Sequence, residues 1–225
     1  KIEQGANAGG RLVDQGFAGG LVLGSYSGTL TGTNERDLLI GTEAGERIEG
    51  LDGDDDLLGE GGDDIFDAGA GDDDIFGGAG NDIILASAGR DTIDGGDDYD
   101  IVDYTASNIG IRADLETRVG QAGYADGDVY LRVEELIGST YADILGGSDL
   151  VGDTLRGGLG DDRIEGRGGA DALEGGADDD RLDGGADGDT LDGGEGSDTA
   201  DYFFSDGAVQ VSLADGTAFG GHAEG

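Results

Sequence analysis

Residues 50–85 read GLDGDDDLL, GEGGDDIFD, AGAGDDDIF and GGAGNDIIL, consecutive nine-residue units whose sixth position is always Asp and whose eighth is always a large apolar residue. The register continues without insertion on both sides, so that eight units run from Gly32 to Asp103. A second array opens with a looser unit at Gly138 and takes one extra residue at Gly147. It then runs as six units from Ser148 to Asp201. A fixed period of this length marks a solenoid, in which each unit is one structural step and only stacking buries its apolar residue.

The sixth column reads Asp37, Glu46, Asp55, Asp64, Asp73, Asp82, Asp91 and Asp100, then Asp143, Asp153, Asp162, Asp171, Asp180, Asp189 and Asp198. The eighth reads Leu39, Ile48, Leu57, Phe66, Ile75, Ile84, Ile93 and Val102, then Leu145, Leu155, Ile164, Leu173, Leu182, Leu191 and Ala200. With 51 Gly in 225 residues, 6% aromatics and a formal charge of -40, composition alone would place the chain among disordered polymers. The locked apolar period removes it from that class.

Composition also narrows function. The chain has no Cys, which excludes disulfide staples and thiol-based metal or redox chemistry. So negative a charge argues against nucleic acid or anionic membranes as partners and for cations. No apolar stretch reaches the length of a membrane span or a signal peptide. Lys1 stands where an initiator Met would, so the chain is expected to be a piece of something longer.

Six residues of Gly-rich turn followed by three of strand make a half-coil, and two half-coils close a turn of 18 residues. Strands then alternate between two parallel sheets, with the eighth position facing inward. Asp98, Asp178 and Asp187 stand at the motif's third Gly, where a short polar side chain tolerates the left-handed conformation. Units n and n+2 stack one strand step of about 4.8 Å apart, which brings their sixth-position carboxylates together. At an effective dielectric of about 20, two such charges about 5 Å apart repel by on the order of 3 kcal/mol. A hard divalent cation reverses that sign. Calcium suits the position, because it accepts about six to eight oxygens in flexible geometry, whereas magnesium demands a tighter octahedron.

These columns resemble the RTX (hemolysin-type) calcium-binding repeat, Gly-Gly-x-Gly-x-Asp-x-apolar-x. The resemblance implies an all-β fold, a right-handed parallel β-roll in two nonapeptide solenoid blocks, with β spacer or capping segments. It further implies several bound Ca2+, export in the unfolded state through a one-step (type I) channel, and folding outside the cell or at its surface. The expected site pairs are Asp55 with Asp73, Asp64 with Asp82, Asp73 with Asp91, Asp82 with Asp100, Asp162 with Asp180, Asp171 with Asp189, and Asp180 with Asp198. Asp37, Asp143 and Asp153 complete the ligand set. Their turns, with that of Glu46, depart from the Gly pattern and suit a capping role. Asp54, Asp63, Asp72, Asp161 and Asp179 fall outside the sixth column and read as solvated charge.

The chain divides into a Gly-rich flank (1–29), a first roll (30–103), a spacer (104–137), a second roll (138–201) and the cut-short start of a second spacer (202–225). Tyr104, Ser107, Ile111 and Leu115 recur 98 residues later as Tyr202, Ser205, Val209 and Leu213. Alternating Ile109, Ile111, Ala113 and Leu115, and again Val129, Leu131 and Val133, predict two spacer strands that cover roll ends. His222 is the only His, and no zinc-site His pair or nucleophile-elbow Ser motif is present, so the chain is not expected to be an enzyme. Two other roles remain open: a structural repeat of an adhesin, surface layer or filament, joined end to end to copies of itself, and the C-terminal module of a secreted hydrolase or epimerase.

Overall fold

A computed structural model describes residues 21–23, 28–201 and 210–212. Tyr202, Ser205, Val209, Leu213 and His222, whose recurrence and surface placement are expected from sequence, and most of the 1–29 flank lie outside those residues. Apart from one 3-10 turn at Gly123–Ala125, every described element is a β-strand. The strands fall into two compact units. One contains the described residues up to Val102 together with Gly127–Val133; the other contains Asp103–Asp126 and the described residues from Glu134 onward.

In the first unit, one sheet has the order β1 (Leu21–Leu23), β3 (Leu38–Thr42), β5 (Asp56–Gly61), β7 (Asp74–Ala79), β9 (Thr92–Asp97) and β12 (Val129–Leu131). Facing it are β2 (Thr29–Thr31), β4 (Arg47–Asp52), β6 (Ile65–Ala70), β8 (Ile83–Leu85) and β10 (Ile101–Asp103). The second unit has β11 (Arg112–Asp114), β14 (Ile144–Gly146), β16 (Arg163–Glu165), β18 (Arg181–Asp183) and β20 (Thr199–Asp201) in one sheet. The other runs β13 (Glu135–Ile137), β15 (Thr154–Leu159), β17 (Ala172–Ala177), β19 (Thr190–Glu195) and β21 (Gln210–Ser212).

Consecutive chain segments thus alternate between two parallel sheets, the pattern of a β-roll. Pairing is offset by one coil, so the eighth column stacks on itself: Leu39 on Leu57 on Ile75 on Ile93, and Leu155 on Leu173 on Leu191. From Leu39 to Leu191 these side chains are at most 2% exposed. One large apolar residue for every nine ordered ones is a thin core, because backbone ordering costs about 1–2 kcal/mol per residue.

The strands are longer than the three residues per half-coil expected from sequence. β5, β6 and β7 each run from the seventh position through the third of the next unit, with pairs such as Glu60↔Gly78 and Gly61↔Ala79. The second and third motif positions therefore also pair with the next coil, and the tight turn is confined to the fourth to sixth positions.

The spacer supplies terminal strands. β11 pairs with β14 and β12 with β9, both parallel. Ile111, Ala113 and Leu115 are buried and Ile109 is exposed, broadly the alternation expected of the first strand. Val133 is buried as expected, but within β12 the phase is the opposite: Tyr130, stacked on Ile93, is buried while Val129 faces out. The parallel register decides the face there, overriding the Val129–Leu131 alternation.

Candidate metal centre

In the regular units the sixth-position carboxylate uses one oxygen to tie two coils together. Asp55 N–H donates to Asp73 Oδ1 at 2.7 Å, Asp64 to Asp82 at 2.8 Å, Asp73 to Asp91 at 3.0 Å and Asp82 to Asp100 at 2.9 Å. In the second unit, Asp162 donates to Asp180 at 2.8 Å, Asp171 to Asp189 at 3.1 Å and Asp180 to Asp198 at 3.0 Å. All seven sequence-predicted pairs are brought together. The strands place them: the N–H of the next residue bonds the sixth-position carbonyl one coil back, as Asp74 N–H does to Asp55 O at 2.8 Å.

The second oxygen is the distinctive feature. Oδ2 of Asp55, Asp64, Asp73, Asp82, Asp162, Asp171, Asp180 and Asp189 is buried with no hydrogen-bond partner. Orphaned carboxylate oxygens are costly, and their regular recurrence points to a missing electrophile. Next to seven of the eight lies a cradle walled by the Gly at the first motif position; Ala68 holds that position beside Asp73. A Cβ on Gly59 would stand 2.2 Å from Asp64 Oδ2 and 2.3 Å from the Gly77 carbonyl oxygen. One on Gly157 would stand 2.1 Å from Asp162 Oδ2 and 2.6 Å from Gly175 O. A carboxylate oxygen and a carbonyl oxygen of the next coil thus flank one small space, the donor chemistry that calcium takes.

Electrostatics agree. Burial pushes the carboxyls of Asp55, Asp73 and Asp82 up to about 6, those of Asp64, Asp171 and Asp180 to about 7, and those of Asp91 and Asp162 to about 8. Ladder N–H donors oppose the shift, and neighbouring carboxylates reinforce it in each of these columns. Among the described residues, no three His, Cys, Asp or Glu side chains converge on one point. The candidate donors are instead a carboxylate and main-chain carbonyls.

The four irregular turns differ in kind. Thr33 N–H and hydroxyl both donate to Asp37 Oδ2, and Thr42 N–H and hydroxyl to the Glu46 carboxylate. Ser139 donates to both oxygens of Asp143, and Ser148 N–H to Asp153 Oδ2 at 2.6 Å. There a hydroxyl residue near the start of the turn occupies the oxygen that elsewhere is orphaned.

Two findings went beyond the sequence reading. Asp128, fully buried, accepts the Asp91 N–H at 2.9 Å and is a further rung of the first ladder. Residues 123–131, GYADGDVYL, do fit the motif with Asp128 sixth and Tyr130 eighth, a signal hidden by the lost period around it. The second concerns the fifth position. Asp54, Asp63, Asp72, Asp161 and Asp179 are exposed, but they are not merely solvated: Asp54 Oδ1 accepts Asp72 N–H at 3.0 Å, and Asp161 Oδ1 accepts Asp179 N–H at 3.1 Å. They form an outer ladder of opposite polarity.

Stacked parallel coils, a buried carboxylate column and glycine-walled oxygen pairs define a calcium-binding β-roll. The profile of the RTX calcium-binding nonapeptide repeat matches four stretches, residues 40–75, 67–102, 152–182 and 165–200. The chain belongs to the RTX family, whose repeats bind Ca2+ at multiple sites. No curated protein matches it.

Proposed function

We propose that this chain is the calcium-responsive folding module of a secreted bacterial protein, unfolded where calcium is scarce and closing into its rolls outside the cell. The observation that carries this reading is the set of eight orphaned Oδ2 atoms. Asp55, Asp64, Asp73, Asp82, Asp162, Asp171, Asp180 and Asp189 are assigned as principal ligands. Asp91, Asp100, Asp128 and Asp198 continue their ladders. Asp37, Asp143 and Asp153, each with its Oδ2 or Oδ1 bonded by Thr33, Ser139 or Ser148, are assigned as caps. Bound calcium supplies positive charge to these oxygens and so couples binding free energy to folding. Extracellular modules often bind calcium at about 10⁻⁴ to 10⁻³ M, which suits a switch between the inside and outside of a cell. No helix among the described residues is long and apolar enough to cross a membrane.

Circular dichroism tests the proposal. Millimolar calcium is expected to convert a coil spectrum to a β spectrum, and equal magnesium to do so weakly. An unchanged spectrum with calcium would sink the reading.

A further inference from the structure

One coil of the second unit is built differently from the rest. Its turn carries the extra residue at Gly147, leaves Leu150 88% and Val151 54% exposed, and has its Asp153 Oδ2 satisfied by Ser148. Against this turn lies Arg167, at the second motif position, where Gly158, Gly176 and Gly185 stand in other units. Its φ is +75°, a conformation that costs an L-residue about 1–2 kcal/mol.

The guanidinium has defined partners. Arg167 Nη1 donates to Asp114 Oδ1 at 2.9 Å and to the Gly147 carbonyl at 2.6 Å, while Nη2 donates to Asp114 Oδ2 at 2.6 Å. This fork joins residues 53 positions apart. It passes over Gly146, which lies between Asp114 and Glu165 in the strand register. A Cβ on Gly146 would stand 3.2 Å from both Arg167 Nη2 and Asp114 Oδ2, so the gap in the side-chain column is what admits the fork. Burial alone would raise the Asp114 carboxyl, but Arg167 and the Thr117 N–H outweigh it and hold it below its ordinary value.

We infer that Arg167 is the resident cation of this coil, a positioning residue whose guanidinium binds a turn carbonyl and a carboxylate where neighbouring coils use a metal ion. The inference rests on the calcium reading of those neighbours. It explains why this unit gives up the motif's Gly and accepts backbone strain: the fork locks β11 onto β14 and β16 with a charge that cannot dissociate. Arg suits the task because its planar, permanently charged fork meets a carboxylate bidentately.

Hydrogen exchange on the full chain at fixed millimolar calcium tests it. The reporters are the Leu115 amide, bonded to Gly146 O, and the Ile144 amide, bonded to Ile111 O. Asp74 and Ile83 amides in the first unit are the internal control. Arg167→Gly restores the motif and relieves the strain, yet is expected to lower protection at both reporters about tenfold, the scale of a charged hydrogen-bond pair. Arg167→Gln and Asp114→Asn should do the same, and Asp114→Asn/Arg167→Gln no more than either alone. Retained or increased protection in Arg167→Gly would overturn the inference, as would additive losses in the double variant. A second run on the parent chain with chelator should strip protection from the control amides; control amides that keep it would count against the calcium reading instead, so the two failures are distinguishable.

Discussion

At the scale of single residues, the two aspartate ladders differ by burial. Asp73 is 1% exposed and carries an orphaned Oδ2, whereas Asp54, one position earlier in its turn, is exposed and bonded only outward. Asp73→Asn keeps an acceptor for the Asp55 N–H but removes the charge. It should raise the calcium concentration needed for folding, while Asp54→Asn should change stability by no more than about 0.5 kcal/mol. Calcium titrations of both by circular dichroism separate them; equal shifts would mean that net charge, not the buried column, governs folding. The backbone offers a second contrast. Leu51 sits at φ +85° and is 41% exposed, so Leu51→Gly gives up little packing and should stabilise the loaded protein by about 1 kcal/mol, read as a higher urea midpoint. Arg outnumbers Lys eleven to one, and its planar fork suits carboxylate pairing. Arg36, Arg47, Arg132, Arg156, Arg163, Arg167 and Arg181 each pair with a carboxylate, several of them across neighbouring strands.

At the scale of the element, a half-coil tolerates change unevenly along its length. Gly59 and Gly61 are two residues apart in β5, yet a Cβ on Gly59 collides with Asp64 Oδ2 and Gly77 O, while one on Gly61 meets nothing closer than 3.4 Å. Gly59→Ala should therefore raise the calcium needed to order its coil without abolishing it, because Ala68 and Ala86 hold the same motif position in their units, and Gly61→Ala should leave it within about 1 kcal/mol of the parent. Hydrogen exchange at the Ile65 and Ile83 amides, which bond the carbonyls of Glu46 and Asp64, reads the difference. This unevenness also explains what was legible in the sequence. The eighth column and the sixth-position pairs were readable because a strict period converts directly into stacking. Asp98, Asp178 and Asp187 were rightly placed in left-handed turns, at φ +80°, +79° and +72°. What stayed hidden depends on partners supplied by other coils. The strands lengthen because second and third positions find neighbours a coil away, Tyr130 turns inward because Ile93 fixes its register, and Arg167 reaches Asp114 only because Gly146 leaves room.

At the scale of the whole molecule, the buried column sets how stability responds to pH. Aspartates with ordinary values near 3.8 rise to about 7 at Asp64, Asp171 and Asp180 and about 8 at Asp91 and Asp162, chiefly through burial. Between about pH 4 and 8 the folded chain therefore binds more protons than the unfolded one, and stability falls as pH rises through that window. The metal-free protein should thus gain β structure on acidification from pH 8 to pH 5, the reverse of ordinary acid denaturation. Calcium flattens the dependence, because protons and metal compete for the same oxygens: at saturating calcium the column binds almost no protons in either state between about pH 5 and 8, and the folded fraction should stay level over that range. Circular dichroism with chelator and with saturating calcium checks both outcomes. General relief of the -40 charge would also favour closure on acidification, so the source of the effect needs its own control. Replacing Glu35, Glu60 and Glu195 by Gln and Asp126 by Asn removes four exposed charges, none from the column or from the fifth-position ladder beside it. If the column governs, that variant keeps the parent's pH midpoint, whereas Asp64→Asn with Asp162→Asn shifts it; a midpoint that follows total charge in both would refute the assignment.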